Sequence, residues 1–270
     1  MKIIFIGGGN MAQALISGLQ KHAFIMQNIH VIELDANKRQ HLQQIFGVRA
    51  SANLSNIATS DVIVLAVKPQ QLKAVAAAVA PYLEKQCVIS IAAGVRLTDL
   101  SRWLNYYSAI VRSMPNTPAQ IQAGVTALYA MPAVTKEQII QTDQILKAVG
   151  KTLWLDSETK LDAVTAISGS GPAYVFYMIE ALQLAALELG LNAEEAKLLS
   201  LQTFWGASLL AIDSDSEIAI LRAQVTSKGG TTEQGILSLE NSQVKNAIIQ
   251  ATKAAAAKSG ELGDLLSQSE

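Results

Sequence analysis

The stretch "KIIFIGGGNMAQALISGLQK", Lys2 to Lys21, constrains the fold of this chain most. A short β-rich apolar run passes through a glycine cluster into a segment whose Met11, Ala14, Leu15 and Leu19 share one helical face. Gly7, Gly9 and Ala12 occupy the three small-residue positions of a G-x-G-x-x-G/A turn. The first permits the tight turn, the second lets a diphosphate approach the backbone, and the third keeps helix and strand close. Free N–H groups and the positive end of the helix dipole then face the anion, so Ile6, Gly7, Gly8, Gly9, Asn10, Met11 and Ala12 form one candidate cofactor loop. Glycines also end many strands for conformational reasons alone, and a phosphate-free structural turn is the alternative.

Context favours the dinucleotide. A second strand, "IHVIELD", ends at Asp35, about 20 residues beyond the glycine loop, where an acidic group can accept hydrogen bonds from an adenosine ribose. "DVIVLAVKP" is a continuous apolar strand running into Lys68 and Pro69, and proline can open a helix at its first turn. "CVISIAAG", "AIVRSMPNTP" and "GVTALYA" follow, with helical segments between several of them. This alternation predicts an α/β domain, a doubly wound and mostly parallel sheet covered on both faces. Ligands bind outside the carboxyl ends of such strands. Ala66, Val67, Lys68 and Pro69, then Ala92 and Ala93, then Asn116 within "MPNT", are therefore placed on the cofactor side. Lys68 reads equally well as a solvated helix-start residue.

After "KTLWLD" the strand signals stop and helical patterns take over, which predicts two domains, 1–157 and 158–270. Asn192 with Glu195 three residues on makes a capping-box pattern. Several helices are apolar over more than one face, more than a domain of about 110 residues needs for its own interior. Association explains this best, and the all-α half is expected to form a homodimer; a single larger core shared with the sheet is the other reading. "SGSGPAY" lets the backbone bend, with Pro172 opening the next helix. In "VTSKGGTTEQGILSLE", Gly229 and Gly230 can bring successive N–H groups into a concave anion-binding nest, while Thr231 and Thr232 supply hydroxyls that do not titrate. A surface turn with a threonine cap is the bland alternative.

Composition removes other classes. The formal charge of −1, with both signs scattered along the chain, is not the footprint of a nucleic-acid binder. One cysteine, Cys87, lies in the apolar run "CVISI", and the histidines His22, His30 and His41 have no metal-site spacing, so no metal is expected. Each histidine reads as a surface or strand-end residue. The longest apolar stretch, "AYVFYMIEALQLAALELG", carries Glu180, Gln183 and Glu188 at helical spacing, which predicts a buried helix with one polar edge and no membrane span. With a strand pattern already under way at Lys2, the expected location is cytoplasmic.

Taken in order, "FIGGGNMAQAL", "AVKP", "SIAAGV", "MPNTPA", "SGSGPAYVFYMIEAL" and "VTSKGGTTEQGI" are similar to the pyrroline-5-carboxylate reductase family over nearly the whole chain, Lys2 to about Glu261. The resemblance implies a Rossmann domain followed by a helical dimerisation domain, dimers that can build into rings, and reduction of the cyclic imino acid 1-pyrroline-5-carboxylate to L-proline by NADPH or NADH. It implies a substrate site made of Ser227, Gly229, Gly230, Thr231 and Thr232, in which the nest holds the carboxylate and the Thr232 hydroxyl, the catalytic group, hydrogen-bonds the ring nitrogen. The proton on that nitrogen comes from solvent or is already present, so no histidine or carboxylate acid is expected. Two departures stand out. Lys228 replaces the usual proline before the glycines, and Asp35 lies near the point where many relatives place serine, asparagine or arginine beside an adenosine 2′-phosphate. A carboxylate there repels that phosphate, so NADH should serve at least as well as NADPH, with Lys38, Arg39 and Asn53 close enough to contribute. The rival classes are a β-hydroxyacid dehydrogenase, which needs a lysine base such as Lys160, Lys197 or Lys228, and a dinucleotide-binding protein without turnover.

Overall fold

The computed structural model describes residues 1–54 and 56–268. Its chain divides into two units, Met1–Ser170 together with Lys253–Glu270, and Gly171–Thr252.

The first unit is built on eight strands: β1 (Ile3–Ile6), β2 (Ile29–Ile32), β3 (Arg49–Ser51), β4 (Val62–Leu65), β5 (Cys87–Ser90), β6 (Ile110–Met114), β7 (Gly124–Ala130) and β8 (Gly150–Trp154). Their order across the sheet is β3-β2-β1-β4-β5-β6-β7-β8. Neighbours pair in parallel, as in Ile3 opposite Ile29 and Val62, with one exception where β7 runs antiparallel to β6. The expected doubly wound, mostly parallel sheet is thus present. β1, β2, β4 and β5 are buried at every position, which is why their sequences are apolar without alternation apart from the buried His30 and Ser90. On one face Leu15, Leu42 and Leu146 pack from α1 (Asn10–Lys21), α2 (Ala36–Phe46) and, after α3 (Pro69–Val79) and α4 (Leu97–Trp103), α5 (Lys136–Lys147). On the other, Leu72 and Leu100 pack from α3 and α4. Each such side chain contributes roughly 1.5–3 kcal/mol by leaving water.

β8 leads through α6 (Lys160–Val164) into one π-helical turn, Thr165–Gly169. These residues are tied to the sheet by polar contacts. Buried Arg112 of β6 donates to Glu158 at 2.8 Å, and the Asn116 side chain donates to the Ser168 carbonyl at 3.2 Å. By packing, the first unit runs on to Ser170. The same unit recovers the end of the chain: Ser259 donates to Asp162 at 2.7 Å, Arg96 pairs with Asp264 at 2.6 Å, and Ser267 donates to Asp99.

The second unit consists of α7 (Gly171–Glu188), α8 (Ala193–Asp213), α9 (Ile218–Gln224), α10 (Thr231–Asn241) and the first part of α11 (Val244–Gln268). Asn192 caps α8, its side chain accepting from the N–H groups of Glu194 and Glu195 while Glu195 returns a bond to the Asn192 N–H. Here the capping-box expectation is met. The expectation that α7 is a buried helix is not: no residue of α7 is buried, and Phe176 and Tyr177 are 66% and 74% exposed. On α8, Trp205 and Leu210 are exposed to a similar degree, 62% and 70%. A single copy of this unit leaves these apolar faces in water, far more than a monomer ordinarily exposes. No helix among the described residues is long and apolar enough to cross a membrane.

Candidate active site

The carboxyl ends of β1, β2 and β4 open onto a cleft of about 600 Å³. Gly7, directly after β1, donates to the Ile32 carbonyl at 2.8 Å and has φ +99°, a conformation that side chains disfavour. A Cβ there would stand 2.7 Å from the Ala66 carbonyl oxygen, so only glycine lets the two strand ends approach. Gly9 differs. It is the N-cap of α1 in an ordinary extended conformation, φ −71° and ψ −179°, and nothing lies within 4 Å of where its Cβ would be. No side chain caps α1, so its first N–H groups face this open space with the positive end of the helix dipole behind them. A dinucleotide pyrophosphate fits this cradle, and the apolar wall of Ala52, Leu54, Val75 and Ala78 suits a flat base.

Of the expected cofactor residues, Ile6, Gly7, Gly8, Gly9, Ala66, Val67 and Lys68 line the cleft together. Lys68 is the N-cap of α3 and Pro69 its first residue, as expected from the sequence. Asn10 lies instead against a separate shallow hollow with Gln13 and Ser17. Met11 is half-buried against the core, and Ala12 is fully buried, holding α1 down on the sheet. Ala92 is buried and Ala93 exposed just beyond β5. Asn53 is outside the cleft lining; its carbonyl accepts from Ser51 at 3.2 Å. Asn116 has its amide engaged at both ends, accepting from the Val125 N–H at 2.9 Å and donating to the Ser168 carbonyl at 3.2 Å.

The acidic residue is also displaced from its expected position. Asp35 accepts from the N–H groups of Asn37 and Lys38 at 2.8 and 3.1 Å, capping α2, and does not line the cleft. Glu33, which does, sits directly after β2 and accepts from the Gly8 N–H with one oxygen and from the Asp35 N–H with the other, each at 3.0 Å. The sequence signal for it was the carboxylate immediately following the apolar run "IHVI".

In the second unit, the turn before α10 is more tightly internal than a two-glycine nest. The Gly230 N–H donates to the Ser227 carbonyl at 3.0 Å, and the Gly229 N–H, at φ +74°, donates to the Glu233 carboxylate at 2.7 Å. Gly230 is the N-cap of α10 and no side chain caps this helix. The N–H groups of Thr231 and Thr232 in its first turn, with their exposed side chains beside them, are what the turn offers an anion. Lys228 is exposed.

Two remaining candidates are accounted for structurally. Cys87 is buried, and burial pushes its thiol up to about 11 against a weak hydrogen bond with Thr142. His30 is a buried residue of β2, not a surface one; its Nε2 is 2.8 Å from the Ser51 hydroxyl, and burial together with the nearby Arg49 cation lowers its pKa. It lines a hollow of about 180 Å³ near the opposite, amino ends of the strands, too small for a dinucleotide.

Fold and cleft define a Rossmann-type dinucleotide-binding oxidoreductase. Residues 2–94 match the family model described as NADP oxidoreductase, coenzyme F420-dependent, and residues 158–262 match that for pyrroline-5-carboxylate reductase dimerisation. The chain is 44% identical over 269 residues to a pyrroline-5-carboxylate reductase of Pseudomonas aeruginosa, covering 99% of this chain and 98% of that one. The solved pyrroline-5-carboxylate reductase of Coxiella burnetii superposes with a TM-score of 0.92 at 40% identity, and that of Plasmodium falciparum with NADP bound at 0.87 and 30%; each comparison covers 97% of this chain and 98% of the other. This chain belongs to the pyrroline-5-carboxylate reductase family.

Proposed function

We infer that the protein reduces 1-pyrroline-5-carboxylate to L-proline with hydride from NADPH or NADH, the final step of proline biosynthesis. The observation that carries the reading is the presence in one family member of two glycine-led helix starts without a side-chain cap, α1 behind the open Gly9 and α10 behind Gly230, each suited to an anionic group. The first suits the cofactor pyrophosphate and the second the substrate carboxylate. Gly7, Gly8 and Gly9 bring the backbone to the pyrophosphate, while Ala66, Val67 and Lys68 form the adjoining wall. The N–H groups of Thr231 and Thr232 hold the carboxylate, and Ser227, Gly229 and Gly230 fix the turn that presents them.

When bound, the reduced nicotinamide supplies a hydride to the imine carbon. The Thr232 hydroxyl accepts from the protonated ring nitrogen and keeps the C=N bond oriented; as the electron pair settles on nitrogen, the cation becomes a neutral secondary amine. No side chain has to deliver a proton in that step. Alignment of two reactants can be worth on the order of 7–11 kcal/mol of barrier, so positioning is the protein's main contribution. Of the lysines a hydroxyacid dehydrogenase could use as base, Lys160 is paired with Asp156 at 2.7 Å and Lys197 and Lys228 are exposed.

The protein is a homo-oligomer acting on a small molecule, and the exposed faces of α7 and α8 support a dimer as its unit. Closure of dimers into a ring, and a cytoplasmic location, are the finer parts of this proposal. Light scattering checks the first. The activity is tested by mixing protein, NADH or NADPH, and pyrroline-5-carboxylate: reduced-nicotinamide absorbance should fall as proline appears. Binding of both ligands without proline formation would leave a dinucleotide-binding protein without turnover.

A further inference from the structure

We propose that α11 sets the loop after β5, residues 91–96, for the nicotinamide half of the cofactor, and that Gly263 is the positioning residue: its missing side chain lets the helix seat on the Gly94 backbone. The inference rests on the reading of the glycine cleft as a dinucleotide site.

A dinucleotide lies across a doubly wound sheet where the strand order reverses, one nucleotide to either side. Here the reversal falls between β1 and β4, with β2 and β3 outward of β1 and β5 outward of β4. An adenosine on the β2 side leaves the nicotinamide over the ends of β4 and β5, where Ala66 and the loop begin. The loop is held at its start by the Ile91 N–H, which donates to the Leu65 carbonyl at 3.3 Å, and at its end by the Leu97 N–H, which donates to the Glu158 carboxylate at 2.8 Å. Between these ties buried Gly94 turns the chain at φ +77°.

α11 supplies the hold in the middle. A Cβ on Gly263 would stand 2.9 Å from the Gly94 carbonyl oxygen, and Leu262 and Leu266 each lie 3.7 Å from where a Gly94 Cβ would be. One residue further on, Asp264 pairs with Arg96 at 2.6 Å, and Ser267 donates to Asp99 just past the loop. None of these α11 residues lines the cleft, so their effect on a bound cofactor passes through the loop. Gly263, Asp264 and Ser267 also lie beyond the matched dimerisation region, which ends at residue 262. Because backbone faces backbone at Gly263, an added methyl has no flexible side chain to push aside, and the loop has to give way. A 1 Å misplacement can cost roughly a hundredfold in rate, so a shift of about half that predicts hydride transfer slowed about tenfold. Gly260 is the comparison: it lies on the same helix three residues earlier, with nothing within 4 Å of its Cβ position.

The test uses the full-length protein and three measurements: the single-turnover rate of NADH oxidation by pyrroline-5-carboxylate, the dissociation constant for NADH, and that for ADP-ribose, which carries the pyrophosphate and adenosine without the nicotinamide. Gly263→Ala should slow hydride transfer about tenfold and weaken NADH, with ADP-ribose bound as by the wild type. Gly260→Ala should leave all three unchanged. A merely structural role for Gly263 would weaken both ligands together. Thermal melts show whether Gly263→Ala has folded; Asp264→Arg, which turns an exposed ion pair into a repulsion without crowding the backbone, serves if it has not. That variant should slow hydride transfer by about two- to fivefold, the scale of an exposed pair, again with ADP-ribose unaffected. A wild-type rate in folded Gly263→Ala, a loss shared equally by ADP-ribose or by Gly260→Ala, or an unchanged rate in Asp264→Arg overturns the inference and leaves the reductase reading intact. A wild type that binds both ligands without turnover removes the reductase reading, and the NADH and ADP-ribose affinities of the variants then decide the role of the loop. Failure of the wild type to bind ADP-ribose removes the dinucleotide site and the inference with it.

Discussion

Replacing Gly9 by alanine should weaken cofactor binding sharply while leaving the fold almost untouched. Gly9 has φ −71° and ψ −179°, a conformation open to any residue, and its added methyl would meet nothing within 4 Å. Reduced freedom of the unfolded chain favours alanine by about 0.4–1 kcal/mol, and the poorer N-cap offsets a similar amount. The melting temperature should therefore move by no more than about 2 °C. The methyl would, however, stand in the open space above the α1 N-terminus where a pyrophosphate oxygen has to reach the backbone. Each N–H bond to a charged oxygen is worth about 1.5–3 kcal/mol, so losing one or two weakens NADH and NADPH alike by roughly 10- to 1000-fold or more. Gly7→Ala supplies the contrast, because φ +99° and a 2.7 Å approach to the Ala66 carbonyl must strain the folded state itself. That variant should lose stability as well as affinity, by about 1–3 kcal/mol. Fluorescence titration and a thermal melt on each variant decide the matter. A folded Gly9→Ala protein with wild-type affinity for both cofactors would refute the placement of the pyrophosphate.

Three other outcomes are expected. Thr232→Ala should lower kcat/KM for pyrroline-5-carboxylate about tenfold or more with the dissociation constant for NADH unchanged, as steady-state kinetics and titration will show. Asp143 is partly buried, which alone would raise its pKa, but hydrogen bonds from Lys147, Thr152 and Trp154 and the Lys147 charge outweigh this and hold the carboxyl below its ordinary value. A depressed folded pKa gives stability that is full above the unfolded value and lost as pH falls through the folded one. In urea denaturation the gap between wild type and Asp143→Asn should accordingly hold from about pH 7 to about pH 5 and close in more acid solution. Cys87, with its thiol pushed up to about 11, should resist iodoacetamide at about pH 8 until denaturant exposes it; rapid labelling of the native protein would contradict its burial.

Local chemistry explains which features the sequence disclosed. β1, the glycine turn and α1 were legible because one continuous apolar run, three small residues and one amphipathic face must coincide to make them. The Asn192 capping box and the Lys68–Pro69 helix start were legible for the same reason: every interaction involved lies within a few residues. β3 was not, since Arg49–Ser51 is a short edge strand with no buried residue and so carries no apolar signal. Two acids two residues apart, Glu33 and Asp35, both satisfied the spacing from the glycines; only the exit of the chain from β2 decides which one enters the cleft. Apolar composition announced α7 as interior, but composition cannot say whether the interior belongs to one chain or to an assembly. At the threonine turn, residue types could not tell that Ser227 and Glu233 engage the glycine N–H groups.

The return of α11 to the sheet has a consequence for how the protein is made. Asp162, Asp264 and Ser267 close contacts with segments synthesised long before or after them, so Arg96 waits for Asp264, and Asp99, already paired with Arg102 nearby, waits for its second bond from Ser267. The helical unit is in this sense an insertion within the nucleotide-binding unit, and the unit begun first is completed last.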